Sequence, residues 1–175
     1  MNCEDPGFEA NHDHDHCIES ALATARALCR DRKQRLTPVR ELVLQLIWKN
    51  HQPMGAYELL PALAEAGFNS APPTIYRALE FLQEQGLVHR IASLNSYIGC
   101  PNPDSPHRSG FLICRECQRA VELDTGRVHS ALSESAAELG FQIENEMVEV
   151  VGLCPDCRTA EEQGGHNRGE TDAQS

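Results

Sequence analysis

Apolar residues recur at helical spacing from about residue 18 to residue 86, then shift to the spacing of strands. Leu22, Ala25 and Cys29 share one face of a helix predicted over 18–32. Thr37-Pro38 starts the next: Thr caps, and Pro occupies the first helical position, where its missing N–H costs nothing. Val39, Leu42, Val43, Leu46 and Ile47 form its stripe. A third helix is predicted over Ala56–Ala66 from Leu59, Leu60 and Leu63, with Gly67 as its stop and Pro61 as an internal interruption. Pro72-Pro73-Thr74 opens a fourth, with Ile75, Ala78, Leu79 and Leu82 inward and Gly86 closing it. Residues 87–99 alternate as a hairpin with its turn near Ser93-Leu94-Asn95-Ser96. Helices followed by a hairpin predict a winged helix-turn-helix.

Past residue 110 the pattern is mixed. Phe111–Cys114 and Ala120–Leu123 read as strands. Val128, Ala131, Leu132, Ala136 and Leu139 form a helical stripe ended by Gly140, and Gln142–Leu153 reads as a Val-rich strand. One short helix cannot cover that much apolar strand, so a second copy is expected to pack on it as a two-fold dimer. The predicted fold class is α+β: an N-terminal winged helix-turn-helix domain and a C-terminal α/β dimerisation domain. The predicted division is 1–17, a disordered His-rich tail; 18–99, the winged helix; 100–108, a hinge; 109–157, the dimerisation domain; and 158–175, a second disordered tail.

The 175 residues carry a net charge of −11, which argues against non-specific nucleic-acid binding. The distribution qualifies that reading. Arg26, Arg30, Arg32, Lys33, Arg35 and Arg40 cluster against Asp31 alone, either as a local phosphate-contacting patch or as a solvated helix face. The polar opening has no export signal, and no apolar run approaches the roughly 18 residues of a membrane span, so a cytoplasmic protein without membrane partners is expected. Eight cysteines in a reducing compartment predict metal ligands or free thiols in place of disulfides.

Cys114/Cys117 and Cys154/Cys157 are two Cys-x-x-Cys pairs, a spacing that turns both sulfurs of a pair towards one tetrahedral zinc. A redox dithiol would be a single such pair with an aromatic and Gly-Pro nearby; Arg115-Glu116 and Pro155-Asp156 fill the spacers here. The long gap from Cys117 to Cys154 means that the metal clamps a folded insert.

The inward face of PPTIYRALEFL leaves Thr74, Tyr76, Arg77 and Glu80 outward near the helix N-terminus, the end that enters the major groove in helix-turn-helix proteins. Arg77 can contact guanine bidentately and Tyr76 a thymine methyl or a phosphate. Arg35, Arg40 and Tyr57, near helix starts, are candidate phosphate contacts. On spacing alone, a Tyr-Arg pair on an ordinary surface helix fits as well. His89, Cys100, His107 and Glu122 could ligate a metal, or be a satisfied histidine, a buried thiol and a surface carboxylate. His12, His14, His16 and Cys17 can bind zinc, nickel or copper weakly.

The run RLTPVRELVL (35–44), PPTIYRALEFLQEQGLVHRI (72–91), SYIGC (96–100), His107 ahead of CREC, and GLCPDC (152–157) resembles the ferric uptake regulator family, nearest its zinc-sensing branch. The resemblance covers about residues 20–157. It implies a structural zinc at Cys114, Cys117, Cys154 and Cys157, and a regulatory zinc at His89, Cys100, His107 and Glu122, two per subunit. It places Tyr76 and Arg77 on the family's DNA-contacting pair. The implied function is a zinc-responsive homodimeric repressor of zinc uptake genes on palindromic operator DNA. His89 and Cys100 lie on the DNA-binding side and His107 and Glu122 beyond the hinge, so a shared metal would fix the spacing of the two recognition helices. Iron and peroxide sensors of the family carry a His-x-Asp where this chain has His107-Arg108-Ser109, and a late His where it has Glu144-Asn145-Glu146. The soft thiolate of Cys100 favours zinc over iron(II).

Rival functions are a same-family sensor of iron, manganese or peroxide, and a zinc buffer or metallochaperone, which leaves the winged helix unexplained. An enzyme with a small-molecule substrate is not expected. Cys154-Pro155-Asp156-Cys157 resembles half of a zinc deaminase site, but the required His-x-Glu is missing, and four protein ligands leave no place for a catalytic water.

Overall fold

The computed structural model describes residues 14–49, 52–104 and 108–164. Helix α1 (His14–Asp31) leads into α2 (Pro38–Lys49), where Thr37 Oγ1 faces the Arg40 N–H at 3.5 Å. Strand β1 (Met54–Gly55) runs into a single 3₁₀ turn (Ala56–Leu59), then α3 (Leu60–Glu65). The predicted third helix is therefore split, and Pro61 falls in the first turn of α3, where no hydrogen bond is lost. Helix α4 (Pro72–Glu84) ends at Gly86, whose φ of +72° suits glycine. Strands β2 (Val88–Ile91) and β3 (Ser96–Gly99) form the wing, and β1 adds to its edge in the order β1-β3-β2.

The N-terminal core is well filled. Val43, Leu44 and Ile47 of α2 pack with Leu59 and Leu63 and with Ile75, Ala78, Leu79, Phe81 and Leu82 of α4. Each such aliphatic side chain contributes about 1.5–3 kcal/mol on burial, an upper figure given compact unfolded chains. Trp48 packs so closely on Gly99 that a Cβ there would lie 2.4 Å from the indole. The same indole lines a cavity of about 220 Å³ with Cys17, Cys100 and residues 101–104.

The C-terminal sheet has the order β5-β4-β6, with β4 (Ser109–Cys114) antiparallel to β5 (Ala120–Asp124) and parallel to β6 (Val148–Gly152). Helix α5 (Gly126–Glu138) crosses between β5 and β6, and α6 (Pro155–Gly164) follows the last cysteine pair.

Three boundaries differ from expectation. Helix α1 starts at His14, four residues before 18. The strand predicted over Gln142–Leu153 is confined to Val148–Gly152, because its neighbour β4 begins only at Ser109 and the register puts Gly110 opposite Val148. Helix α6 extends past Cys157 into residues that read as irregular, steadied by an Arg115–Glu161 bridge of 2.8 Å back to the first cysteine loop. Among the described residues, no helix is long and apolar enough to cross a membrane.

The two halves touch in several places. Ile91, Leu94 and Ile98 of the wing share a small apolar cluster with Phe111, Ile113 and Ala120 of the C-terminal sheet. Gln52 Nε2 donates to the Cys117 carbonyl at 3.1 Å, and Glu149 of β6 accepts from the backbone N–H groups of Ala92 and Ser93 at 2.7 and 3.0 Å.

Candidate metal centres and the DNA-facing surface

The first cysteine pair lies in the tight loop between β4 and β5, where Gln118 N–H closes onto the Cys114 carbonyl at 2.9 Å and Gln118 takes a φ of +58°. The second lies where β6 gives way to α6. Parallel pairing of β4 with β6 brings Cys114 opposite Gly152, two residues short of Cys154. All four sulfurs come within 4.8 Å of one another. Cys117 Sγ and Cys154 Sγ are 3.8 Å apart. A tetrahedron with zinc–sulfur bonds of about 2.3 Å has edges of about 3.8 Å, so the donor set fits zinc.

The surroundings of Cys114 and Cys117 favour thiolates. Burial alone would raise the Cys114 thiol, but backbone N–H groups of Cys117, Cys154 and Glu116 outweigh it and bring it down to about 6. Cys117 is likewise held below its usual value against burial, by the guanidinium and backbone of Arg119. Arg119 reaches Cys117 Sγ at 3.4 Å, Cys154 Sγ at 3.6 Å and Asp156 at 2.6 Å. Cys157, whose thiol hydrogen-bonds to Cys154, is pushed up to about 12. Sequence spacing pointed to the four cysteines but not to Arg119.

The second cluster joins the halves. His89 sits on β2; Cys100 follows β3, its N–H donating to the Leu87 carbonyl at 3.0 Å; Glu122 is in β5 opposite Phe111. Their donor atoms all lie within 4.8 Å of one another, and His89 Nε2 is 3.5 Å from Glu122 Oε1. Metal–ligand bonds of about 2.0–2.2 Å give a tetrahedral edge near that length, so imidazole, thiol and carboxylate here fit zinc too. His107 lies outside the described residues. Ser109, which no local pattern marks, donates its hydroxyl to Glu122 and lies 3.3 Å from His89 Nε2. The ring of His89 also packs on Phe111 at 5.8 Å.

Cys100 is only 2% exposed. Burial, together with the negative charges of Glu122 and Asp104, pushes its thiol up to about 12 against a backbone N–H from Asn102. Without a metal it is a neutral thiol at pH 7, so a metal ion must displace its proton.

Of the remaining cysteines, Cys29 is packed in the N-terminal core, where burial raises its thiol. Cys17 is buried and disulfide-bonded, contrary to the expectation that all eight would be metal ligands or free thiols. Cys3 and His12 lie outside the described residues; His14 opens α1, and His16 on its first turn is exposed.

On α4, Tyr76, Arg77 and Glu80 point outward as a set, Thr74 is half-buried beside them, and Tyr76 is 41% exposed. Tyr57, 65% exposed, meets Tyr76 edge to face at 6.5 Å between ring centres, so the two phenols make one projecting surface. Arg35 is exposed. The patch is less free than its charges suggest. Arg40 lies over the Phe81 ring at 3.5 Å and donates to the Arg35 carbonyl at 2.5 Å; Arg26 pairs with Glu41, and Arg32 donates to the Gln85 carbonyl at 2.6 Å. These three guanidiniums brace α1, α2 and α4 against each other.

Residues 31–151 match the pattern of the ferric uptake regulator family. The zinc uptake regulation protein of Escherichia coli K12 is 41% identical over 140 residues, covering 79% of this chain and 82% of that protein. The solved structure of a zinc uptake regulator complexed with zinc and DNA superposes with a TM-score of 0.78 at 40% identity, over 83% of this chain and 97% of that one. The crystal structure of holo XcZur gives 0.72 at 43% identity, over 80% and 98%.

Proposed function

The chain belongs to the ferric uptake regulator family, in its zinc uptake branch, and we propose that it is a zinc-responsive transcriptional repressor acting on palindromic operator DNA as a homodimer, to control zinc uptake genes. The observation that carries this reading is the convergence of His89 and Cys100 from the wing side with Glu122 from the C-terminal sheet. Zinc bound by His89, Cys100 and Glu122 would hold donors from both halves together.

The structural zinc is assigned to Cys114, Cys117, Cys154 and Cys157, and the regulatory zinc to His89, Cys100, Glu122 and the linker residue His107. Four protein donors at each leave no open position for a substrate, which suits a regulator and not an enzyme. The proposed division is a winged-helix domain over 18–99, a hinge over 100–108 and a dimerisation domain over 109–157. Tyr76, Arg77 and Thr74 read the major groove from α4, with Tyr57, Arg35 and Arg40 towards the phosphates. Arg40 can serve there while still seated on Phe81, because a guanidinium stacked on a ring keeps its edge N–H groups available.

The dimer is supported by apolar surface that one chain leaves open. Helix α5 has no buried residue, and Leu139 and Phe141 are 85% and 67% exposed. When the sensor donors of both subunits are engaged, the two α4 helices are held at one spacing, which must match successive major grooves of the operator. The switch is a population shift: zinc favours the closed arrangement only by as much as it binds that arrangement better.

The test is fluorescence anisotropy on a palindromic operator, with protein holding only its structural zinc, with buffered free zinc added, and with iron(II). Binding switched on by zinc and not by iron is expected. Zinc-independent binding, or none with any metal, would overturn the reading.

A further inference from the structure

Glu149 stands on β6, in the C-terminal sheet, yet its carboxylate leaves that sheet and ends on the wing. Oε1 accepts from Ala92 N–H at 2.7 Å and Oε2 from Ser93 N–H at 3.0 Å, across more than fifty residues of sequence. Two successive backbone N–H groups at a turn make a small concavity suited to an anion, and bonds to an ionised carboxylate are of the stronger class. The wing turn is otherwise closed locally, by Asn95 N–H to the Ala92 carbonyl at 3.1 Å and by Arg90 to Asn95 Oδ1 at 3.0 Å. Glu149 is therefore not needed to form the turn; it ties a formed turn to the other half. Burial alone would raise its carboxyl, but the Ser93 hydroxyl and the two N–H groups hold it below the usual glutamate range. It is ionised throughout the neutral range, so the tie does not switch with physiological pH.

The contact lies beside the apolar cluster of Ile91, Leu94 and Ile98 with Phe111, Ile113 and Ala120. None of these residues, nor Glu149, belongs to either set of metal donors.

We propose that Glu149 is a positioning residue for DNA binding: a zinc-independent latch from the dimerisation sheet to the wing that sets how much free zinc the repressor needs. The inference rests on the zinc-responsive reading above. Half-saturating zinc scales inversely with the fraction of zinc-free protein already closed. A contact present only in the closed form raises that fraction. Removing the contact lowers the fraction, and the zinc requirement rises in proportion. At saturating zinc the closed form is filled in either case, so DNA affinity is preserved. Loss of a negative charge near the wing can only help there.

The experiment titrates free zinc against operator binding by full-length protein, for the parent, Glu149→Ala and Glu149→Gln. Zinc affinity without DNA is measured in parallel by chelator competition, and the dimer is verified for each. Glu149→Ala removes both charged hydrogen bonds and is expected to raise the zinc midpoint at least about tenfold, the low end of what one such bond is worth. Glu149→Gln keeps an acceptor and should raise it about threefold. The same factors must appear in chelator competition, because the coupling is reciprocal. DNA affinity at saturating zinc should be unchanged or tighter. A midpoint within about twofold of the parent for Glu149→Ala would overturn the proposal. So would weaker DNA binding at saturating zinc with an unchanged midpoint, which marks Glu149 as a structural prop of the wing. A parent protein that binds DNA without zinc would instead sink the regulatory reading itself, and that outcome is visible before any variant is compared.

Discussion

The two halves of this chain solve the problem of a core differently. The N-terminal half buries its own: Leu44, Ile47, Leu59, Leu63, Ile75, Leu79 and Leu82 are all sealed within one protomer. The C-terminal half has only a small cluster, partly borrowed from the wing, and leaves Val128, Leu132, Leu139, Phe141, Met147, Val150 and Val151 in the open. One half is complete as a folded unit. The other shares its small cluster with its neighbour and leaves a four-cysteine donor set and an open apolar face, which under the proposed function a zinc ion and a second copy complete. Under the proposed function the self-sufficient half presents α4 to DNA, and the regulatory donors are split between the halves, His89 and Cys100 on the wing side and Glu122 in the C-terminal sheet.

The strongest challenge to this contrast is Cys114→Ser. Structural zinc sites carry folding energy on the order of 10 kcal/mol, so the C-terminal half should lose its fold and the dimer should dissociate. Circular dichroism and sedimentation should report this while the N-terminal half still melts cooperatively. A well-folded dimeric variant would erase the distinction. Next in size is Leu79→Ala, a cavity in the complete core, expected to cost about 2–5 kcal/mol in denaturant unfolding. Leu132→Asp, on the open face of α5, should weaken the dimer on the order of a hundredfold by ultracentrifugation and leave the N-terminal melting in place. Equal loss of N-terminal stability would show that the halves do not fold separately.

Arg119→Met probes the metal's share. Without the guanidinium at Cys117 and Cys154, structural zinc should be lost to a chelator about 10–100-fold more readily, the usual reach of groups behind the ligands. The smallest expected effect is in pH. Cys100, pushed up to about 12 by burial, Glu122 and Asp104, holds its proton until zinc displaces it. Affinity at the regulatory site should therefore fall about tenfold for each pH unit lowered between 8 and 7, through this thiol. Zinc competition at two pH values checks it, and a flat response would mean that Cys100 is not a ligand.

How much of this could be read from the sequence depends on distance along the chain. The four helices up to Gly86 were legible because stripes, Thr37-Pro38, Pro72-Pro73 and closing glycines are local signals. The four-cysteine cluster was legible for the same reason, since each pair fixes its own geometry. His89, Cys100 and Glu122 carry no such signal. Hairpin register and the β4–β5 pairing bring them together, and only the family resemblance named them beforehand. Ser109, Arg119 and Glu149 act across strands, and nothing in their immediate surroundings marks them. The strand predicted through residues 142–147 failed because apolar content says nothing about whether a partner strand is present. The loose reading of residues beyond Cys157 missed a helix held by an ion pair to a distant loop. The basic patch was legible as charge, but three of its arginines proved to be engaged in packing.

The close seat of Trp48 on Gly99 has a practical consequence. This is the chain's single tryptophan, and it lines the cavity shared by Cys100 and residues 101–104. The protein thus carries one intrinsic fluorophore, set at its own joint. Residues 101–104, which lead on to the C-terminal half, form another wall of that cavity, so any rotation that moves them changes how far the half-buried indole meets water. Tryptophan emission should therefore follow closure directly, with no label attached, in the native sequence.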